Sequence, residues 1–275
     1  MRHLFSFFII SAVLSGLLVS CNNKSDSPDH DESIVPPASG IAAPKKISYT
    51  IIGQYPHDTA SFTEGLEFYN GKLYESGGDY NNSVLQFGDA KTGVVEKKNK
   101  MGTDSIFGEG ITILDNKLYQ LTYQTNIAYV YDVNNISKPI KTFRWPMEGW
   151  GMTNNGTDLI ITTGSANLYF VDPETFKIKN TVAVVNNYGP VEAVNELEYV
   201  DGFVWANVWQ TNRIIKIDPE SGHVVGEMML ENLLQSSDYV QGKTDVLNGI
   251  AYDSTSKTMF FTGKRWPKIF QVRIN

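Results

Sequence analysis

Glu64-Gly65-Leu66 leads within a few residues to Asn70-Gly71-Lys72-Leu73-Tyr74, and Glu109-Gly110-Ile111 leads in the same way to Asp115-Asn116-Lys117-Leu118-Tyr119. The pairing recurs at Trp150-Gly151-Met152 with Asn155-Gly156-Thr157-Asp158-Leu159, and at Asn195-Glu196-Leu197 with Asp201-Gly202-Phe203-Val204-Trp205. A fifth start, Asn248-Gly249-Ile250, reaches Met259-Phe260-Phe261 through a longer turn. Each unit reads as strand, tight turn, strand. Asn-Gly and its relatives supply the positive φ angles that a two-residue hairpin needs. Flanking stretches such as Ser48-Tyr49-Thr50-Ile51-Ile52 and Ala128-Tyr129-Val130-Tyr131 have strand rather than helix periodicity. The starts fall about 41 to 53 residues apart, which is the period of a four-stranded propeller blade.

The rest of each unit fits that period. A third strand ends in an Asp turn at Tyr131-Asp132, Val171-Asp172-Pro173 and Ile217-Asp218-Pro219, and a fourth follows, as at Phe176 to Val185 and His223 to Met229. The last unit stops after its third strand, Lys268 to Ile274, so Ile47 to Tyr55 is left to supply its fourth. Closing the ring with strands from both ends removes exposed edges. The expectation is an all-β, five-bladed β-propeller over residues 46–275, closed by an N-terminal strand joining the last blade. Leu230 to Asp245 interrupts the pattern and reads as a surface insertion with a short helical turn.

The residues before the propeller carry a different message. Arg2 and His3 precede an apolar run from Leu4 to Val19, too short for a membrane span and suited to a signal peptide. Leu18-Val19-Ser20-Cys21 resembles a bacterial lipobox, in which cleavage leaves Cys21 as a diacylated N-terminus. Residues 1–20 are therefore expected to be a signal peptide and 21–45 a lipidated, flexible tether, whose Asp, Ser, Asn, Pro and Gly cannot bury enough surface to order it. The chain is expected to be exported across the inner membrane and held to the cell envelope, touching the membrane only through that anchor.

Composition narrows the chemistry. The 275 residues are 41% hydrophobic and 12% aromatic with a net charge of −7, so a sizeable core is available and a nucleic-acid partner is not expected. Cys21 is the only cysteine, and the domain has two histidines, His57 and His223. A His-rich zinc site is disfavoured. A Ser-His-Asp triad would have to use His57, with no nucleophile elbow beside it. What remains are carboxylates, a lysine, amides and aromatics.

In a propeller, equivalent positions of each blade converge around the axis. The heads of the first strands are Glu64, Glu109, Trp150, Asn195 and Asn248, and a second set about 14 residues on is Gly78, Tyr123, Gly164, Trp209 and Gly263-Lys264. Aromatic walls with a few convergent polar groups describe a pocket for a small molecule or a peptide end. The static alternative is a polar cap in which Glu109 pairs with Lys264. His57 is expected to be structural.

At these residues the sequence resembles the plant-type glutaminyl-peptide cyclotransferases. The matching stretches include Tyr55-Pro56-His57-Asp58, Ala60-Ser61-Phe62-Thr63-Glu64-Gly65, Phe107-Gly108-Glu109-Gly110 and Gly149-Trp150-Gly151. They continue through Asn195-Glu196-Leu197-Glu198-Tyr199, Val204-Trp205-Ala206-Asn207-Val208-Trp209, Val246-Leu247-Asn248-Gly249-Ile250 and Thr262-Gly263-Lys264, with Trp266-Pro267-Lys268. The resemblance runs from about Ile52 to Ile274. It implies a five-bladed propeller that converts N-terminal Gln of peptides or proteins to pyroglutamate with loss of ammonia, without catalytic zinc or another required cofactor. It implies Glu109 as acid/base, Asn195 and Lys264 beside the reacting amide, and Phe62, Trp150 and Trp209 as walls. Glu64 stands where the plant pattern has Gln, and Tyr123 where it has Trp; Glu64 is expected to hold the α-amine and Tyr123 to complete the wall. A structural calcium ion in the central channel is a further implication, and a monomer is expected. Two rival functions share the fold: a non-catalytic propeller that binds peptides or glycans, and a metal-dependent, lactonase-like hydrolase whose cage Glu64, Asn195 and Asn248 would begin.

Overall fold

The computed structural model describes residues 40–101 and 103–275. The expected signal peptide, Cys21 and most of the tether lie outside the described residues. Strand pairing begins at Lys45–Lys46, one residue ahead of the expected start of the domain.

Four consecutive antiparallel strands build each of the first four blades. They run from Phe62–Tyr69 to Val95–Lys100, from Gly108–Leu114 to Lys141–Arg144, from Met152–Asn154 to Ile178–Ala183, and from Val194–Val200 to Val224–Met229. The fifth is Leu247–Asp253, Thr258–Gly263 and Lys268–Ile274, completed by Tyr49–Pro56 paired antiparallel from Tyr49↔Ile274 to Pro56↔Lys268. The expected closure is thus present, and all five blades match the repeat. Lys45–Lys46 adds a parallel rung to the outer strand of the fourth blade. The interruption after Met229 holds one 3-10 turn, Ser236–Asp238.

The core is divided among the seams between blades. Leu66 with Phe260 and Ile269 fills the seam between the fifth and first, Leu85 with Ile111 and Leu118 the next, and Leu121 with Trp145, Met152 and Leu159 the third. Ile160 and Leu168 pack on Leu197 and Ile215, and Trp205 and Met228 pack on Phe261 and Phe270. Because each blade leans on both neighbours, burial of these side chains fixes the ring diameter and hence the distances across the axis.

The innermost strands approach so closely that small residues are required. A Cβ on Gly110 would lie 2.5 Å from the Trp150 carbonyl oxygen, and one on Gly151 would lie 2.0 Å from that of Asn195. The backbone N–H of Gly110 uses the proximity to donate to Trp150 O at 2.7 Å. In the fourth blade the equivalent residue is Glu196. Its carboxyl accepts from Leu66 N at 3.1 Å and Ile250 N at 2.8 Å, tying three blades together at the axis.

Further along the channel, Glu198 accepts from Tyr252 N, and Glu67 from the Thr112 hydroxyl. Burial pushes Glu67 up to about 8. It also lifts Glu196 and Glu198 well above the usual range, aided by repulsion from Glu67 on both. Groups that hold protons more tightly when folded contribute stability below about pH 4.5 and lose it as pH rises through the folded values. The urea midpoint is therefore expected to fall between about pH 5 and 8, and Glu67→Gln to flatten that fall; a midpoint that rises across this window would contradict it.

Candidate active site

Four first strands carry a bulge at the residue expected to face the axis. The pairing register skips between Thr63 and Gly65, between Gly108 and Ile111, between Val194 and Leu197, and between Leu247 and Ile250. The skipped positions include Glu64, Glu109, Asn195 and Asn248. A bulge turns a side chain out of the alternating pattern and re-aims it, so the chain has placed these polar residues inward without inverting the apolar faces that seal the seams. Trp150 precedes the first strand of its blade and is held by N–H donation to Thr162 O at 3.1 Å.

These residues enclose a cavity of about 290 Å³. All eight expected pocket residues line it: Phe62, Glu64, Glu109, Tyr123, Trp150, Asn195, Trp209 and Lys264. Asn248 sits behind, with its amide nitrogen on Thr63 O at 2.9 Å and on Glu64 Oε2 at 3.2 Å. Trp150 and Trp209 meet edge to face with centroids 5.4 Å apart, and the Trp150 indole N–H donates to Glu148. Trp209, 36% exposed, stands at the mouth. Opposite, Phe62 packs edge-on to Phe107, which contacts Tyr123. The glycines of the second repeat position make room for rings: a Cβ on Gly78 would meet Phe107 at 2.2 Å, and one on Gly164 would meet Trp150 at 2.6 Å.

Phe107, Gln210, Asp245 and Val246 also line the cavity and were not among the expected residues. Phe107 stands two residues before Glu109 as Phe62 stands two before Glu64, a repeat signal that could have found it. Gln210 follows Trp209 as Lys264 follows Gly263. Asp245 and Val246 end the irregular insertion, where no repeat signal exists.

The static alternative, with Glu109 paired to Lys264, is not what the site holds. The Lys264 ammonium donates to Glu64 Oε1 at 2.7 Å, and no ion pair joins it to Glu109. Both carboxylates reach the axis, but Glu64 lies on the blade next to that of Lys264, whereas Glu109 is one blade further on. Glu64 is 2% exposed and Lys264 6%. Burial raises the Glu64 carboxyl to about 7, against the lowering by Lys264's charge and hydrogen bond. Lys264 also lies 4.5 Å from the centroid of the Phe62 ring.

Glu109 is 5% exposed. Burial holds its carboxyl well above the usual range, with repulsion from Glu64 and Glu148 adding to the rise and Lys264 opposing it. The burial that favours its protonated form leaves it facing the cavity. Asn195 Oδ1 is buried with no hydrogen-bond partner among the described residues; an unpaired buried acceptor is costly unless a ligand satisfies it.

His57 is structural, as expected. Its ring bonds Trp266 O at 2.8 Å and Glu75 at 3.1 Å, and Glu75 also accepts from Ser61, Thr63 and Gln86. Burial alone would raise Glu75, but His57 and the two hydroxyls bring it down to about 2. This network fixes the turn that leads into Phe62 and Glu64.

The described residues include no group of three or more His, Cys, Asp or Glu placed to hold a metal. Glu64 is committed to Lys264 and Asn248, and both oxygens of Glu196 to backbone N–H groups. Calcium takes six to eight oxygens from carboxylates, amide or backbone carbonyls and water, so a calcium ion in the channel would have to rely on amide and backbone carbonyls rather than on these carboxylates. Of the residues that would begin the cage in the lactonase-like reading, Glu64 has both carboxylate oxygens engaged by Lys264 and Asn248.

The family model for glutamine cyclotransferase matches residues 18–274. A glutaminyl-peptide cyclotransferase of Arabidopsis thaliana is 41% identical over 230 residues, which are 82% of this chain and 70% of that protein. The crystal structure of a glutaminyl cyclase from Myxococcus xanthus superposes with a TM-score of 0.77 at 33% identity, covering 84% of this chain and 98% of that one. With nearly the whole propeller in register with these proteins, the chain belongs to the glutamine cyclotransferase family.

Proposed function

We propose that this chain is a glutaminyl-peptide cyclotransferase in which Glu109 is the acid/base. The family and its relatives support the activity. The observation that supports the role of Glu109 is a buried carboxyl, held above its usual range by that burial, facing an aromatic-walled cavity with Lys264 and Asn195 on the same walls.

The reaction closes a five-membered ring when the substrate's α-amine attacks its own side-chain amide carbon. Closure is already intramolecular, so holding a near-attack conformer supplies much of the rate. Phe62, Trp150, Trp209 and Tyr123 would clamp the flat carboxamide and exclude water. Asn195 Oδ1 would accept a hydrogen bond from the substrate's amide N–H. As the N–C bond forms, negative charge grows on the amide oxygen. Lys264 keeps ammonium hydrogens to spare beyond the one given to Glu64 and would donate to that oxygen, a term of roughly 3–4 kcal/mol per donor. Glu109 would pass its proton to the departing nitrogen, and its carboxylate would then take the proton from the ring nitrogen. Ammonia leaves and Glu109 is restored.

Glu64 has both oxygens engaged within the protein. Its proposed task is to position Lys264 rather than to grip the amine. No step needs a metal or cofactor. The test is ammonia release from a Gln-Phe-Ala peptide, with the full-length protein in excess EDTA. Release well above the spontaneous rate and unaffected by EDTA is expected. No release across several Gln peptides would transfer the cavity to the peptide-binding reading.

A further inference from the structure

The segment between the outer strand of the fourth blade and the first strand of the fifth, residues 230–246, departs furthest from the repeat, yet it is well tied down. Leu230 and Leu233 are buried. The Thr244 hydroxyl accepts from Val240 N at 2.9 Å, and the backbone N–H groups of Lys243 and Thr244 both return to Val240 O. Lys268 holds Asp238 at 2.5 Å.

Against this segment lies a second cavity of about 380 Å³, with Leu230, Leu233, Leu234, Tyr239 and Trp266 in its lining. Asp245 and Val246 line both cavities. This two-residue ridge is bonded through its backbone to Lys264: Asp245 N donates to Lys264 O at 3.0 Å, and Lys264 N donates to Val246 O at 2.9 Å. The Trp266 indole N–H holds the ridge from the other side, through Asp245 O at 2.8 Å. The second cavity therefore begins where the wall of the first ends.

We propose that the second cavity is a subsite for the peptide chain that follows the N-terminal glutamine, and that it favours an apolar side chain and rejects an acidic one. The proposal rests on the cyclotransferase reading of the first cavity. Only the glutamine needs to enter that cavity, so the remaining residues must leave through its mouth. An extended chain advances about 3.3 Å per residue, so a two-residue ridge is crossed within the next two or three residues.

The lining decides the chemistry. The half-exposed Tyr239 and the partly buried Leu234 offer apolar surface that a ligand would cover, over a floor formed by the buried Leu230 and Leu233. Among the described lining residues Asp245 is the one charged group, and none is basic. An acidic side chain would lose water facing a like charge, which disfavours it. An apolar one would gain by burial.

The experiment uses the full-length protein and a Gln-Ala-Ala-Ala peptide, with one Leu or one Asp moved through positions two to four. Gln-amide, which fills only the first cavity, serves as reference. Leu at one position is expected to raise kcat/KM about tenfold over Ala through KM, and Asp at that position to lower it. Tyr239→Ser and Leu234→Ser should each bring the Leu-to-Ala ratio towards one. No preference at any position, with Gln-Ala-Ala-Ala and Gln-amide still cyclised, would overturn the subsite and leave the activity standing. A preference that survives both substitutions would also overturn it. Failure of all peptides and of Gln-amide would remove the activity on which the subsite rests.

Discussion

Replacing Glu109 with Gln should cut kcat about a thousandfold and leave the propeller folded. A positioned general acid/base contributes roughly 10²–10⁴, and the other two carboxyls lining this cavity are engaged elsewhere, Glu64 by Lys264 and Asn248 and Asp245 by the N–H of Val246. The substitution keeps size and hydrogen-bonding surface while removing the proton. It also removes a buried carboxyl whose pKa burial and two neighbouring carboxylates have raised. Stability at alkaline pH should therefore hold or improve, since the native state no longer has to ionise a buried group. The pH profile adds a second check. Wild-type kcat/KM should rise as the substrate's amine loses its proton, near 8 for an α-amino group. It should fall again as Glu109 ionises, and the residual activity of Glu109→Gln should lack that falling limb. A kcat within tenfold of wild type would refute the role of Glu109.

The second large effect is expected at Lys264. Lys264→Met should lower kcat/KM by about 10²–10³, the cost of losing one donor to a developing oxyanion. It should also destabilise the protein, in a pH-dependent way. Without the ammonium, only the Asn248 hydrogen bond is left against the burial that already lifts Glu64 to about 7. The folded pKa of Glu64 rises further, so the variant loses stability relative to wild type as pH climbs above the unfolded value near 4.5. At pH 5 Glu64 simply keeps its proton and the loss is small. At pH 8 it should approach the roughly 3 kcal/mol typical of breaking a buried pair. Adding Glu64→Gln removes the stranded carboxylate. The double variant should therefore regain stability at pH 8 but not activity, and recovery of both would mean that Lys264 is structural only.

Both expectations follow from a pairing that the sequence alone did not settle. Glu64, Glu109 and Lys264 were recognisable as axis-facing from the blade period, and all reach the cavity. Which carboxylate Lys264 would bond was not recognisable, because the partners lie 200 residues apart on different blades. Glu196 shows the same limit. It breaks a Gly pattern that is plain in the other four blades, but only the closed ring shows its carboxyl bridging the first and fifth blades.

The features legible in the order of residues are local and periodic. Alternating apolar residues set the strands, Asn-Gly and Asp-Gly set the turns, and five starts at a blade's spacing set the ring and its closing strand, since each depends on a few neighbouring residues. The family motifs marked residues that line the cavity. Tertiary structure alone decided the cross-axis partners, the raised carboxyls and the ridge that Asp245 and Val246 raise between two cavities. Those depend on how close five blades come when their seams are packed, and on the water excluded when they do. Neither quantity is a property of any one stretch of chain.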